Sequence, residues 1–165
     1  REHASVVMIA LTVPRSMWPQ HLTGSGYLVP KPEQTAITAV SFASNKWAHV
    51  QTTDNSMVLR VSLGRDGMPM HHLDDETLLK LALADLYWHL GIDLAPTDVR
   101  ITRWVESFPQ YRPGHFEEVD KLEHLFDVSA PGVVFAGASY RGIGIPSCIA
   151  DANRAAARVL AKIDA

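Results

Sequence analysis

The residues with the clearest chemical potential lie in one stretch near the C-terminal end. There the apolar run VVFAG leads through the turn GASYRGIGIP, Gly137 to Pro146, into the alanine-rich segment IPSCIADANRAAARVL. Strand, glycine-rich turn and helix in that order expose backbone N–H groups and the positive end of a helix dipole to an anionic ligand. Gly137, Gly142 and Gly144 would let backbone approach such a ligand closely. The spacing is neither the GxGxxG fingerprint nor a Walker loop, so this segment does not indicate a separate dinucleotide fold. Two readings stand: the glycines only shape a tight turn, or the turn faces a ligand. Ile143 and Ile145, directly beside those glycines, suit a flat and largely apolar ring system better than a bare phosphate.

Other chemistry-bearing residues are scattered. Among the eight histidines, His71 and His72 are adjacent, and neighbours in sequence do not converge on one metal ion without further ligands, so no metal site is assigned. His115, in PGH, reads as a turn or hydrogen-bonding residue rather than a general base. Cys148 reads as a small buried hydrophobe, and Trp18 and Trp88 as structural aromatics, Trp88 packing on a long helix. The acidic stretch from Glu117 to Asp127 reads as a solvated helix face. Arg112 and Arg141 lie in turns where a carboxylate or phosphate could meet them, or where each is an ordinary surface arginine.

The chain that must position these groups has 165 residues, 47% of them apolar, which suffices for a sizeable core. A net charge of -3, with lysines and arginines spread along the chain, does not suit a nucleic-acid partner. Its single cysteine excludes an internal disulfide framework and fits a reducing, cytoplasmic setting. No apolar run reaches the roughly 20 residues of a membrane-spanning helix, which leaves peripheral membrane contact open. The chain opens on Arg1 and passes almost at once into an apolar run with no targeting pattern, as an excised segment of a longer chain would.

Strand patterns occupy residues 5–13, 26–30, 35–44, 57–64 and 99–105, and short turn-rich linkers between the first four favour antiparallel pairing. Asp74 or Asp75 can cap a helix with Leu79, Leu83, Leu86 and Leu90 near helical spacing and Gly91 at its end. Phe108 to His115 reads as a loop, about 116–126 as a helix, and Gly132 to Gly137 as a short buried strand. A last helix opens at Pro146 with Ile149, Ala152, Ala156, Leu160 and Ile163 on its apolar stripe. The class is α+β: a mostly antiparallel sheet with flanking helices, followed by a strand–turn–helix unit.

Five segments in order, GSGYLVPKPE (24–33), SFASNKW (41–47), VLRVSLGR (58–65), RWVESFPQYRPGH (103–115) and GASYRGIGIPSCI (137–149), resemble the FAD-dependent protoporphyrinogen and coproporphyrinogen oxidases of the flavin amine oxidase superfamily. The resemblance covers almost the whole chain. It implies that residues 1–112 belong to a porphyrinogen-binding domain and 113–165 to the C-terminal segment of an FAD-binding domain that is α/β in the intact enzyme. The N-terminal dinucleotide-binding part is absent. Carried over by position, Ile143, Gly144 and Ile145 would touch FAD with Trp104 nearby, and Leu28, Trp47 and Ser62 would line the tetrapyrrole pocket; no catalytic base is implied. The intact enzyme would oxidise a porphyrinogen in heme biosynthesis with FAD and dioxygen, and this segment alone would be inactive without its N-terminal half as partner. Ser147 stands where the family commonly has an acid, and Ala152 where it commonly has glycine. Two other functions remain open: a related amine oxidase or carotenoid desaturase, and a non-catalytic module that binds a tetrapyrrole or a partner.

Overall fold

The computed structural model describes residues 2–51 and 54–163, without the side chain of Ile163. It divides into two compact units, Ala4–Ser107 and a second made of Arg1–His3 with Phe108–Ala165.

The first unit is built on a five-stranded sheet of order β2-β3-β4-β1-β5. Its strands are β1 (His3–Pro14), β2 (Gly26–Leu28), β3 (Ile37–Phe42), β4 (Ser56–Leu63) and β5 (Asp98–Pro109). The β2–β3, β3–β4 and β4–β1 pairs are antiparallel. Along β1 and β4 the apolar residues alternate with period two, so Val7, Ile9, Leu11 and Val13 meet Met57, Leu59, Val61 and Leu63 on one fully buried face. The strand pattern at 35–44 ends earlier than its residues suggest, because Ala43–Lys46 turns into the short helix α1.

One long helix, α2 (Asp75–Leu90), joins the apolar cluster on that buried face. The Asp74 carboxylate accepts the Thr77 N–H at 2.8 Å, and Gly91 ends the helix in the left-handed conformation at φ 67°. The fully buried stripe is Leu78, Ala82 and Leu86. Of the predicted stripe, Leu79, Leu83 and Leu90 only flank it, because the helical period fixes spacing and packing selects the rotation. Trp88 is a correction: it lies on the outer surface of α2, 85% exposed. From α2 the Asp85 carboxylate accepts the Ala36 and Ile37 N–H groups at 3.0 and 2.9 Å, satisfying donors where β3 begins.

The second unit contains α3 (His115–Ser129) and α4 (Ile145–Ile163). The predicted strand at Gly132 to Gly137 does not form: residues 133–136 are irregular, and Val133 is 45% exposed. An apolar run becomes a buried strand only with neighbours to share its hydrogen bonds, and among the described residues no strand pairs with it. The loop expected at Phe108 is also shorter, because β5 continues through Phe108 and Pro109. Pro109 is tolerated because β5 is an edge strand.

Candidate functional site

On the sheet face opposite the core, strand register gathers the predicted pocket residues. Leu28 pairs with Ala39, Ala39 with Ser62, and Ser62 with Met8, so Leu28 and Ser62 lie in one row across four strands. The next row is Gly26, Ser41, Arg60 and Ala10. None of these eight residues is in the buried class, and Leu28 is among the most exposed apolar side chains of the chain. Trp47, just past α1, brings its indole to this face, with the Arg60 guanidinium 5.9 Å from the ring centroid. On β5, Val99 and Ile101 pack toward the core, so alternation places Trp104 on the opposite face, where it is 50% exposed. At about 4.8 Å per strand the face spans roughly 19 Å from β2 to β5, wide enough for a large flat ligand.

Gly26 lets β2 approach the backbone of β3 closely at its end. Its φ is 142°, and a Cβ there would run into the Val40 carbonyl oxygen of the paired strand. By contrast, a hollow of about 660 Å³ lined by Arg15, Trp18, Asn45 and Gln51 contains none of the predicted site residues.

In the second unit the glycine turn is held from several sides. The Tyr111 hydroxyl donates to the Ala138 carbonyl at 2.6 Å and accepts the Gly142 N–H at 2.7 Å, so one side chain spans the turn. The Tyr111 ring stacks on His115 at 3.9 Å, and His115 Nε2 lies 2.8 Å from the Tyr140 carbonyl oxygen. A carbonyl can only accept, so His115 carries its proton on Nε2 and is a hydrogen-bonding residue here. Asp151 accepts the Gly137 N–H at 3.1 Å. Gly144 accepts the Cys148 N–H at 2.9 Å as α4 begins, and Cys148 itself is half-buried, with Sγ 3.3 Å from the Gly142 oxygen.

Ile143 and Ile145 stay exposed on this turn, Ile145 at 77%, and the first N–H groups of α4 lie beside Gly144. Glycines that leave room, exposed apolar side chains and a helix N-terminus together fit the edge of a flat ring that gains negative charge on reduction, as a flavin does. Tyr111 holds the turn, a role that the sequence does not reveal. Its place in FPQYRPGH drew attention to that segment, but a contact to residues about 30 positions away has no local signal. Replacing it with phenylalanine leaves the Gly142 N–H and the Ala138 oxygen without this partner. Tyr111→Phe should lower stability by about 2 kcal/mol, read as a fall in the midpoint of thermal unfolding.

One expectation about charge is corrected. The acidic stretch from Glu117 to Asp127 is not simply solvated, because Asp120, Glu123 and Asp127 pair with Arg141, Arg154, Arg158 and Lys162. Arg141 is held by Asp120 and Glu123, and Arg112 by Glu2, so both turn arginines have carboxylate partners within the chain. The apolar stripe of α4 is also inverted. Its inner face carries Asp151, Ala155 and the arginines, while Ile149, Ala152, Ala156 and Leu160 point outward. Among the described residues no group of three or more His, Cys, Asp or Glu side chains is placed to hold a metal ion, and no helix is long and apolar enough to cross a membrane.

The profile of the flavin containing amine oxidoreductases matches residues 2–160. The coproporphyrinogen III oxidase of Mycobacterium bovis is 37% identical over 163 residues, covering 98% of this chain and 34% of that protein. The coproporphyrinogen III oxidase of Bacillus subtilis is 33% identical over 153 residues, covering 92% of this chain and 32% of that protein. A crystal structure assigned as a protoporphyrinogen oxidase of Exiguobacterium sp. 255-15 superposes with a TM-score of 0.82 at 28% identity, covering 99% of this chain and 36% of that one. The chain thus spans about a third of the length of the curated relatives it matches.

Proposed function

The chain belongs to the flavin containing amine oxidoreductase family, and from that premise we propose that it is part of an FAD-dependent porphyrinogen oxidase of heme biosynthesis. Coproporphyrinogen III is the substrate that the names of its relatives favour over protoporphyrinogen IX. The observation that carries this reading is the single open sheet face that gathers Leu28, Ser62, Trp104 and, through Arg60, Trp47. A broad apolar face with a few polar groups suits a macrocycle of that size and character.

In this reading the first unit supplies the substrate surface and the second the flavin edge. Ile143, Gly144 and Ile145 would hold FAD beside the N-terminus of α4, where the helix dipole favours the negative charge of the reduced ring. FAD bound there would supply the hydride-accepting chemistry, with dioxygen as the final oxidant. Over the whole reaction six electrons and six hydrogens would pass to three dioxygen molecules, giving three hydrogen peroxide. Leu28, Trp47 and Ser62 would orient the ring and exclude water, and no side chain is required as a nucleophile. The outward apolar stripe of α4 and the unpaired run at 133–136 further support a contribution from the rest of the chain to the flavin domain. The lone cysteine accords with a reducing compartment such as the cytoplasm.

The test is to purify the full-length protein and follow its yellow flavin absorbance, the growth of porphyrin fluorescence from coproporphyrinogen III and the peroxide formed. All three are expected. Oxidation of an amine, or desaturation of a carotenoid, without porphyrin formation would move the protein to another branch of the family. A folded full-length protein that never carries flavin would remove the oxidase reading altogether.

A further inference from the structure

On the same open face, Arg60 stands out as a cation with no carboxylate partner among the described residues. It sits inside β4, between Leu59 and Val61, which are fully buried on the other face. The residues directly opposite it are Ser41 on β3 and Ala10 on β1, and Gly26 follows on β2. These small neighbours leave the guanidinium uncovered from the side. Its contact is instead with the Trp47 indole at 5.9 Å, and Lys46 Nζ lies 4.7 Å from the centroid of the same ring. Both cations therefore lie close to one indole, and an anion brought to it would be attracted by each.

We propose that Arg60, assisted by Lys46, binds a propionate carboxylate of the tetrapyrrole on this face, an assignment that rests on the function proposed above. The fork of N–H donors on a guanidinium matches a carboxylate in both shape and charge. The row holding Leu28, Ala39, Ser62 and Met8 is one pleat repeat, about 7 Å, from the row holding Arg60. A macrocycle lying on the first row would therefore turn a propionate arm toward the second. Arg60 thus fixes the orientation of the ring and selects for carboxylate-bearing substrates, with Trp47 holding the guanidinium in place.

The experiment uses the full-length flavin-loaded protein and compares binding of coproporphyrin III with binding of its tetramethyl ester, each read by fluorescence quenching. Arg60→Gln should weaken binding of the acid roughly tenfold, leave the ester within about twofold and leave flavin absorbance unchanged, and Arg60→Lys should recover part of the loss. Equal losses for acid and ester, or no loss for the acid, would overturn the assignment. Should Arg60→Gln fail to retain flavin, Lys46→Gln carries the test: a selective loss of about threefold for the acid is expected, and its absence overturns the proposal. A wild-type protein that binds neither porphyrin overturns the oxidase reading and this inference with it. One that binds the acid no better than the ester overturns the carboxylate site alone.

Discussion

Full-length protein carrying Gly142→Ala is expected to lose about two orders of magnitude in flavin affinity, together with part of its stability. Gly142 has φ 140°, a region essentially restricted to glycine, and a Cβ built there would collide with Cβ of Ser147 and come within 2.9 Å of its Oγ. Ser147 lies in the first turn of α4, so the clash cannot be relieved without moving either the turn or the helix end. The same shift would break the bond from the Gly142 N–H to the Tyr111 hydroxyl. A cost of about 3 kcal/mol follows, which corresponds to roughly a hundredfold in binding if the turn must be native to receive the ring.

Gly144→Ala is the informative comparison. Its φ is ordinary, and a Cβ there would meet nothing closer than 3.9 Å. The protein should therefore accept the methyl group with little change in unfolding midpoint, and any loss of flavin would report a ligand that approaches Gly144 itself. Flavin titration and thermal unfolding of both variants separate the two cases. Full flavin affinity in Gly144→Ala, with the deficit confined to Gly142→Ala, would show that the glycines shape the turn and do not face the ring.

The features legible from sequence were those written locally. Alternation in β1 and β4, the Asp74 cap and the Gly91 stop each depend on residues a few positions apart, and the structure follows them closely. What was not legible depended on partners distant in the chain. Ile149, Ala152, Ala156 and Leu160 of α4 share a face, as their spacing predicts, but periodicity cannot say which face turns inward. The inward choice is made by Arg154 and Arg158, which meet the acids of α3 more than 30 positions away. The unformed strand at 132–137 has the same origin, because an apolar run has no ladder until another strand lies beside it. Tyr111 is a third case: its motif was visible, but its grip on Ala138 and Gly142 was not. For the candidate site, Leu28 and Ser62 lie far apart in the sequence, and only the register through Ala39 puts them in one row.

The network that orients α4 supplies the second large effect, a loss of about 3 kcal/mol on replacing Glu123 with glutamine. The Glu123 side chain is only 10% exposed and accepts hydrogen bonds from Arg141, Arg154 and Arg158 at 2.8 to 2.9 Å. Glutamine has nearly the same shape but one neutral amide, so three half-buried guanidiniums would lose their shared countercharge. Through Arg141 in the turn, and through Asp151, which binds both Arg154 and the Gly137 N–H, the damage would reach the proposed flavin edge. The pH dependence gives the effect a signature. Burial pushes the Glu123 carboxyl upward, but the arginines outweigh it and hold the group below the usual glutamate range. Its ionic contribution is therefore complete above about pH 4.3, the ordinary glutamate value, and fades as pH falls through the lower folded value. The difference in unfolding free energy between wild type and Glu123→Gln should stay near its full size from neutral pH down to that point. Below it the gap should close, because a protonated glutamate resembles the glutamine that replaced it. Hydrogen exchange of the α3 and α4 amides across this range measures the gap element by element. A difference below about 1 kcal/mol at neutral pH, or one insensitive to acid, would mean that these pairs behave as exposed surface ion pairs. Packing of Ala155 and Val119 would then have to hold the two helices together.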